Sequence, residues 1–494
     1  MESPRYPLLY QINTRVRLTD LSESLGRPAS LDDIPDADLD RLEHWGVDWV
    51  WLLSVWQTGS ASREVSRSIP ELRREFQQTL PNLQEEDIDG SGFAIQAYSV
   101  APALGGNAAL ARLRQRLRQR GICLLLDFVP NHTALDHPWI EEHPEFYVHG
   151  SEDSLAQSPQ NYVRLNTPQG SLILAHGRDP YIPGWTDTLQ LNYGNTDLQE
   201  AMIGELLKIA DMCDGIRCDM AMLILPEVFE RTWGIHMPPF WPMAIERVRR
   251  QHLSFLFMAE VYWDFEWTLQ QQGFDYTYDK RLYDRLRGGL ARPIREHLLA
   301  SPDFQNRLAR FLENHDEPRA AATFPDPVHR ASAVLSYLIP GMRFFHNGQF
   351  EGRTKHISPQ LVRAPAEPPN EEIHQFYERL LAVLHHDVVR NGDWHLLECL
   401  PAWDGNWTWD CFIAFAWQGA NRELLIVVVN FASNQSQCYV RLPFPDFRQG
   451  RWQFSDLMNV QQYEYEGGNL ANSGLYIDIP GWAYHVFEIS QILT

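Results

Sequence analysis

Four short segments place ionisable residues where an apolar run gives out. "GIRCDMAM" (215–222) carries a single Arg and a single Asp, Arg217 and Asp219, in an otherwise apolar stretch. A strand has a side-chain period of two, so these residues share one side. An acid and a base on one side of a buried strand are costly unless they are paired or used. The pattern recurs in "DFVPNHT" (127–133), in "FLFMAEVYW" (255–263) with Glu260, and in "LARFLENHDEPR" (308–319). A lone ion pair accounts for one such segment but not for four. At one rim they would gather the carboxylates Asp219, Glu260 and Asp316 with Arg217, His132 and His315. Those are the materials of acid–base and nucleophilic chemistry.

Such a rim needs elements that end together. Apolar runs occur at 8–14, 49–56, 122–129, 215–222, 255–263, 274–279, 308–316 and 341–348. Helical periodicity falls at 107–120, 197–212, 238–251, 291–300 and 328–338. Apolar runs alternating with helices indicate a parallel sheet covered on its outer face. Eight of them predict an α/β (β/α)₈ TIM barrel, whose strands all end at one mouth. A doubly wound sheet would carry a Gly-rich phosphate loop after an early strand, and none is found. Residues 131–195, rich in His, Pro, Tyr, Asn and Gly, read as a small inserted domain after strand three. From about residue 385, "LLIVVVNF", "CYVRLPF" and "YIDIPGWAYHVFEI" predict a C-terminal antiparallel β-sandwich domain. The expected division is 1–130 with 196–384 for the barrel, 131–195 for the insertion and 385–494 for the β domain.

A net charge of -22 over 494 residues excludes a phosphate-backbone binder. The basic run "RLRQRLRQR" (112–120) reads as a solvated helix face beside a leucine stripe. No stretch has the length of a membrane span, and the first residues lack a basic start followed by an apolar core. The six cysteines show no CxxC spacing and read as buried thiols, so a cytoplasmic location is expected. The 17 tryptophans are core by default. Trp185, Trp263 and Trp267 are placed near the mouth, while "WDGNWTWD" (403–410) is expected in the core or an interface.

"DFVPNHT", "GIRCDMAM", "MAEVYW" and "ENHDEPR" together resemble the four sequence regions of the α-amylase superfamily, glycoside hydrolase family 13, in order and spacing. The likeness covers barrel, insertion and β domain. It implies Asp219 as nucleophile, Glu260 as general acid/base and Asp316 as third carboxylate, with Arg217 holding the nucleophile ionised. His132 and His315 match histidines that bind sugar hydroxyls. Phe93 takes the place of an aromatic, usually Tyr, that stacks on the reacting sugar, and Trp263 is the further candidate for substrate binding. Retaining cleavage of a glycosidic bond needs a carboxylate nucleophile and a second carboxyl group about 5–5.5 Å away. Glu260, between Ala259 and Val261, is well placed for a raised pKa.

The chain departs from the pattern at two places. Met222 and Leu223 stand where α-amylases commonly have a Lys-His pair that contacts the leaving sugar. Asn131 matches a frequent calcium ligand, but Gln190 replaces the usual Asp. Calcium takes six to eight oxygens, so no cofactor is expected, with a structural calcium as the alternative. His137, His143 and His149 lack a zinc spacing. The expected activity is retaining hydrolysis of α-1,4-linked glucans or maltooligosaccharides, with the α-glucan as partner and neither nucleic acid nor membrane. Transglycosylation or phosphorolysis with the same residues is the alternative. A non-catalytic relative is a third, disfavoured because all three carboxylates are kept. The sequence leaves oligomeric state open.

Overall fold

A computed structural model of the chain describes residues 4–168, 170–421 and 423–492. All eight apolar runs form strands. They are β1 (Leu8–Asn13), β2 (Trp49–Leu53), β3 (Cys123–Phe128), β4 (Gly215–Cys218), β5 (Leu256–Ala259), β6 (Tyr276–Tyr278), β7 (Leu308–Arg310) and β8 (Met342–His346). They pair in parallel, in chain order, and close between β8 and β1. β2, β4, β5 and β8 are buried at every residue, because the barrel interior takes one face and the helices the other. Trp51, Tyr278, Phe311 and Phe344 pack tilted or edge-on inside, with ring centroids 5.3–5.8 Å apart. This aromatic layer is the floor of the mouth.

The turn before β4 shows how the chain sets a strand's depth. The helix Thr196–Met212 ends just before Asp214, whose carboxylate accepts from Leu124 N at 2.9 Å and from Arg114 and Arg118. Gly215 follows because a Cβ there would lie 2.9 Å from the Leu256 carbonyl oxygen. β4 can therefore approach β5 closely, and the next inward residue is Arg217.

The segment between β3 and β4 is an irregular insertion. It holds a short pair, His132–Ala134 with Thr188–Gln190, and a hairpin, Tyr162–Thr167 with Gly170–Ala175. After the barrel come a six-stranded and a three-stranded antiparallel sheet. Strand Phe412–Gln418 alternates between two cores. Ile413, Phe415 and Trp417 pack with the barrel helices, whereas Phe412, Ala414 and Ala416 pack against the second sheet. Trp417 Nε1 also donates to Leu338 O at 2.7 Å. The expected placement of "WDGNWTWD" fails for two of its three tryptophans. Trp403 and Trp407 are 54% and 67% exposed. The loop is fixed instead by Asp410, which pairs with Arg292 and Arg295 of the helix Ala291–His297, and by Thr408 on Gln437. Polar anchoring leaves both indoles free.

Gly341, just before β8, has φ +116°, and a Cβ there would meet the Leu308 carbonyl oxygen at 2.2 Å. Gly341→Ala is expected to cost about 2 kcal/mol or more of stability, through backbone strain and a forced shift between β7 and β8. A urea unfolding midpoint equal to wild type would contradict this.

Candidate active site

The C-terminal ends of β3, β4, β5 and β7 bring the predicted residues together. Arg217 is fully buried on β4, and its guanidinium lies 2.7 Å from Asp219 and 2.7 Å from Glu260. Asp127 of β3 stands 3.7 Å away and Asp316 4.0 Å away. The rings of Trp51, Phe93 and Tyr278 surround the same cation at 5.2–5.8 Å.

Backbone geometry sets each acid. Asp219 N donates to Phe128 O, so β4 runs on beside β3 for one more residue. Met220 then turns with φ 41°, which aims its N–H at Glu260 Oε2 at 2.7 Å. The main chain of Glu260 is stitched to β4 on both sides, N to Cys218 O and O to Ala221 N. Beyond β7, Asn314 Oδ1 caps the N–H groups of Asp316 and Glu317, each at 2.8 Å, and turns Asp316 over the mouth. His315 is pinned between Gln11 at 2.9 Å and Asp316 at 3.1 Å, with the Phe93 ring 5.3 Å away.

One cation cannot hold three buried carboxylates and a fourth at the open rim all ionised. Burial pushes Glu260 up from its ordinary value; Arg217 opposes this, and the negative charges of Asp219 and Asp316 add to it. Asp316 is also raised by burial, and Asp127 is pushed up to about 7 for the same reason. Burial alone would lower Arg217, but Glu260, Tyr278, Asp219 and Asp127 outweigh it and hold the guanidinium protonated. Burial depresses His132 and His315, the latter with help from Arg217, so both imidazoles stay neutral. Glu260 Oε2 is taken by Met220 N–H and Arg217, which confines a proton on this acid to Oε1. Tyr262 donates to that same Oε1 at 2.8 Å. A buried acid protonated near neutrality, beside a carboxylate paired to a cation, suits acid-assisted nucleophilic displacement.

A cleft of about 240 Å³ opens above these groups, lined by Ser91, Phe93, His132, Trp185, Asp187, Thr188, Asp219, Met220, Glu260, Asp316 and Gln360. Trp185 is thus at the mouth, its ring 5.3 Å from His132. Trp263 is not among the residues that line the cleft; it packs edge-on against Tyr181 at 5.0 Å, at a backbone φ of 60°. Trp267 is 47% exposed on Phe304 and stays outside. Sequence reasoning missed Asp127, Tyr262, Ser91, Asp187 and Gln360. Asp127, a lone charge ending an apolar run, carried the signal that singled out Arg217. Ser91 and Gln360 carried none.

The calcium question has a local answer. Gln190 Nε2 donates to both Asn131 O, at 2.9 Å, and Asn131 Oδ1, at 3.0 Å. A donor amide faces the oxygens that would have met a cation, and the residues present do not fit calcium. Among the described residues no group of three His, Cys, Asp or Glu side chains could hold a metal. His137, His143 and His149 go separate ways, to Trp139, Glu145 and Pro144.

The family model for the α-amylase catalytic domain matches residues 36–227. α-Amylase MalA of Haloarcula japonica is 23% identical over 86% of this chain and 55% of its own length. The trehalose synthase of Pimelobacter sp. is 27% identical over 35% of this chain and 31% of its own. The crystal structure of a noncanonic maltogenic α-amylase, AmyB from Thermotoga neapolitana, superposes with a TM-score of 0.69. It has 19% identity and covers 99% of each chain. Residues 36–227 thus match the α-amylase catalytic domain, and the whole chain shares the fold of that α-amylase structure. It spans about half the length of the first curated α-amylases it matches.

Two outcomes follow from this geometry. Chelator treatment should leave activity and melting temperature unchanged; a loss in both that added calcium restores would reveal a cation site. Tyr262→Phe removes a donor to the Glu260 carboxylate. Donation to a charged oxygen outweighs acceptance from the neutral acid, so the ionised form loses more and the Glu260 pKa rises further. The basic limb of the kcat/KM profile should move to higher pH. A shift to lower pH, or none, would contradict the role given to this phenol.

Proposed function

We propose that the protein is a retaining hydrolase of α-1,4-linked glucans or maltooligosaccharides. The observation that carries this reading is the single guanidinium of Arg217 spanning Asp219 and Glu260 at 2.7 Å each. One fork contacts both carboxyl groups, which supports the close pair of acids that double displacement needs. Asp219 attacks the anomeric carbon and displaces the aglycone oxygen, which takes the proton from Glu260 Oε1. The glycosyl–Asp219 ester is then opened by water that gives its proton back to Glu260. Phe93 stacks on the reacting sugar, and His132, His315 and Asp316 bind its hydroxyls. Trp263 is the candidate for contacts beyond the leaving oxygen. The six thiols, all free, suit a reducing compartment and support a cytoplasmic location.

Transfer to a second sugar is the other reading. Met222 and Leu223 are buried and apolar where Lys-His would reach an acceptor. The trehalose synthase among the relatives fits that alternative. Incubation with maltoheptaose, with and without glucose or phosphate, separates the cases. Shorter oligosaccharides alone support hydrolysis, longer ones transfer, and glucose 1-phosphate phosphorolysis.

Glu260→Gln should lower turnover of ordinary glucans by roughly 10²–10⁴-fold. It should still form the glycosyl-enzyme from an α-glucosyl fluoride, with azide rescuing the stalled second step. Asp219→Asn should gain nothing from the activated substrate. Azide rescue of Asp219→Asn, with Glu260→Gln dead, would reverse the two roles.

A further inference from the structure

The acid and the far rim of the cleft belong to opposite sides of the barrel. Strands β1 to β8 close in chain order, so β5, which carries Glu260, faces β1 across the mouth. The aglycone leaves over β5 because its oxygen takes the Glu260 proton. The donor sugar and anything attached to its non-reducing side must extend toward β1, β2 and β8.

Two loops meet there and are fastened together. The segment after β2 pairs with the segment after β8 as a short antiparallel bridge, Ile88 opposite Leu361. Asp89 N donates to Gln360 O at 2.9 Å, and Val362 N donates to Asp87 O at 3.0 Å. Arg363 forks onto Asp87, with Nε at 2.7 Å and Nη2 at 2.6 Å from its two oxygens. Beneath the bridge, Ile88, Leu361 and Ile357 pack with Val16, Phe76 and Leu80 in a core of their own. Arg15, buried, donates to Gly90 O at 2.9 Å. His356 from the β8 loop reaches the carbonyl oxygen of His315 at 2.7 Å and ties the structure to the site. The residues this wall turns toward the cleft are Ser91 and Gln360, in the same lining as Asp219 and Glu260.

We infer that this wall ends the donor side of the cleft. The protein then acts on the non-reducing ends of α-glucosides and short maltooligosaccharides and does not cut within a chain. Ser91 and Gln360 hold the terminal hydroxyls, and the Arg363–Asp87 pair keeps the wall shut. The inference rests on the hydrolase reading proposed above.

The test uses two aryl maltoheptaosides, one with a free non-reducing terminus and one capped there with an ethylidene acetal, with products resolved by chromatography. The free substrate should be shortened from its end, and the capped one should react about 100-fold more slowly or worse, since the cap has no room. Equal cleavage of both would overturn the wall and leave the hydrolase reading standing. No turnover of either substrate or of α-glucosyl fluoride would overturn the hydrolase reading, and this inference with it. In Arg363→Gln, checked for folding by thermal melting, the capped-to-free rate ratio should rise about tenfold or more as the wall loosens. An unchanged ratio in the folded variant would overturn the role of the ion pair. If the variant does not fold, the wild-type comparison decides the question alone.

Discussion

A single buried cation organises the mouth of this barrel. Arg217 has no exposure to water, and four carboxyl groups from the ends of four strands converge on it. Taking a guanidinium out of water is tolerable only when partners surround it. Here the partners outnumber the charge, so the surplus appears as raised carboxyl pKa values. The chain thereby keeps a proton on some carboxyls and a negative charge on another within one small space. Aromatic faces on three sides of the cation add attraction without adding anionic charge.

The placement of that cation depends on main-chain features. Gly215 lets β4 sit against β5, the left-handed turn at Met220 delivers an N–H to Glu260, and Asn314 folds Asp316 back over the opening. None of these groups touches the cleft by its chemistry, apart from Met220, which lines it. They fix distances, and distances decide whether neighbouring carboxyls share a proton or compete for one.

Much of this was legible in the sequence because burial leaves a compositional trace. Fully buried parallel strands must be apolar, so the eight runs stood out, and any charge inside them was conspicuous. Arg217, Asp219 and Glu260 were found that way, and Asp127 could have been. Trp403 and Trp407 were misjudged because composition gives a tryptophan's tendency to be buried and says nothing of a loop held by Asp410 and Thr408. Ser91 and Gln360 were invisible for another reason. Their place in the cleft follows from the pairing of two loops some 270 positions apart in the chain, through the backbone atoms of Asp87, Asp89, Gln360 and Val362. Backbone pairing of that kind is indifferent to side-chain type and leaves no motif.

The strand Phe412–Gln418 has a consequence for how the molecule comes apart. Its odd-numbered side chains belong to the barrel's core and its even-numbered ones to the sandwich. Removing the C-terminal sheets would strip Ile413, Phe415 and Trp417 from the barrel helices and leave Leu338's carbonyl without its indole partner. The β region is therefore not a detachable module carried behind a self-sufficient enzyme. The two cores share a strand, so whatever pulls that strand away disturbs both.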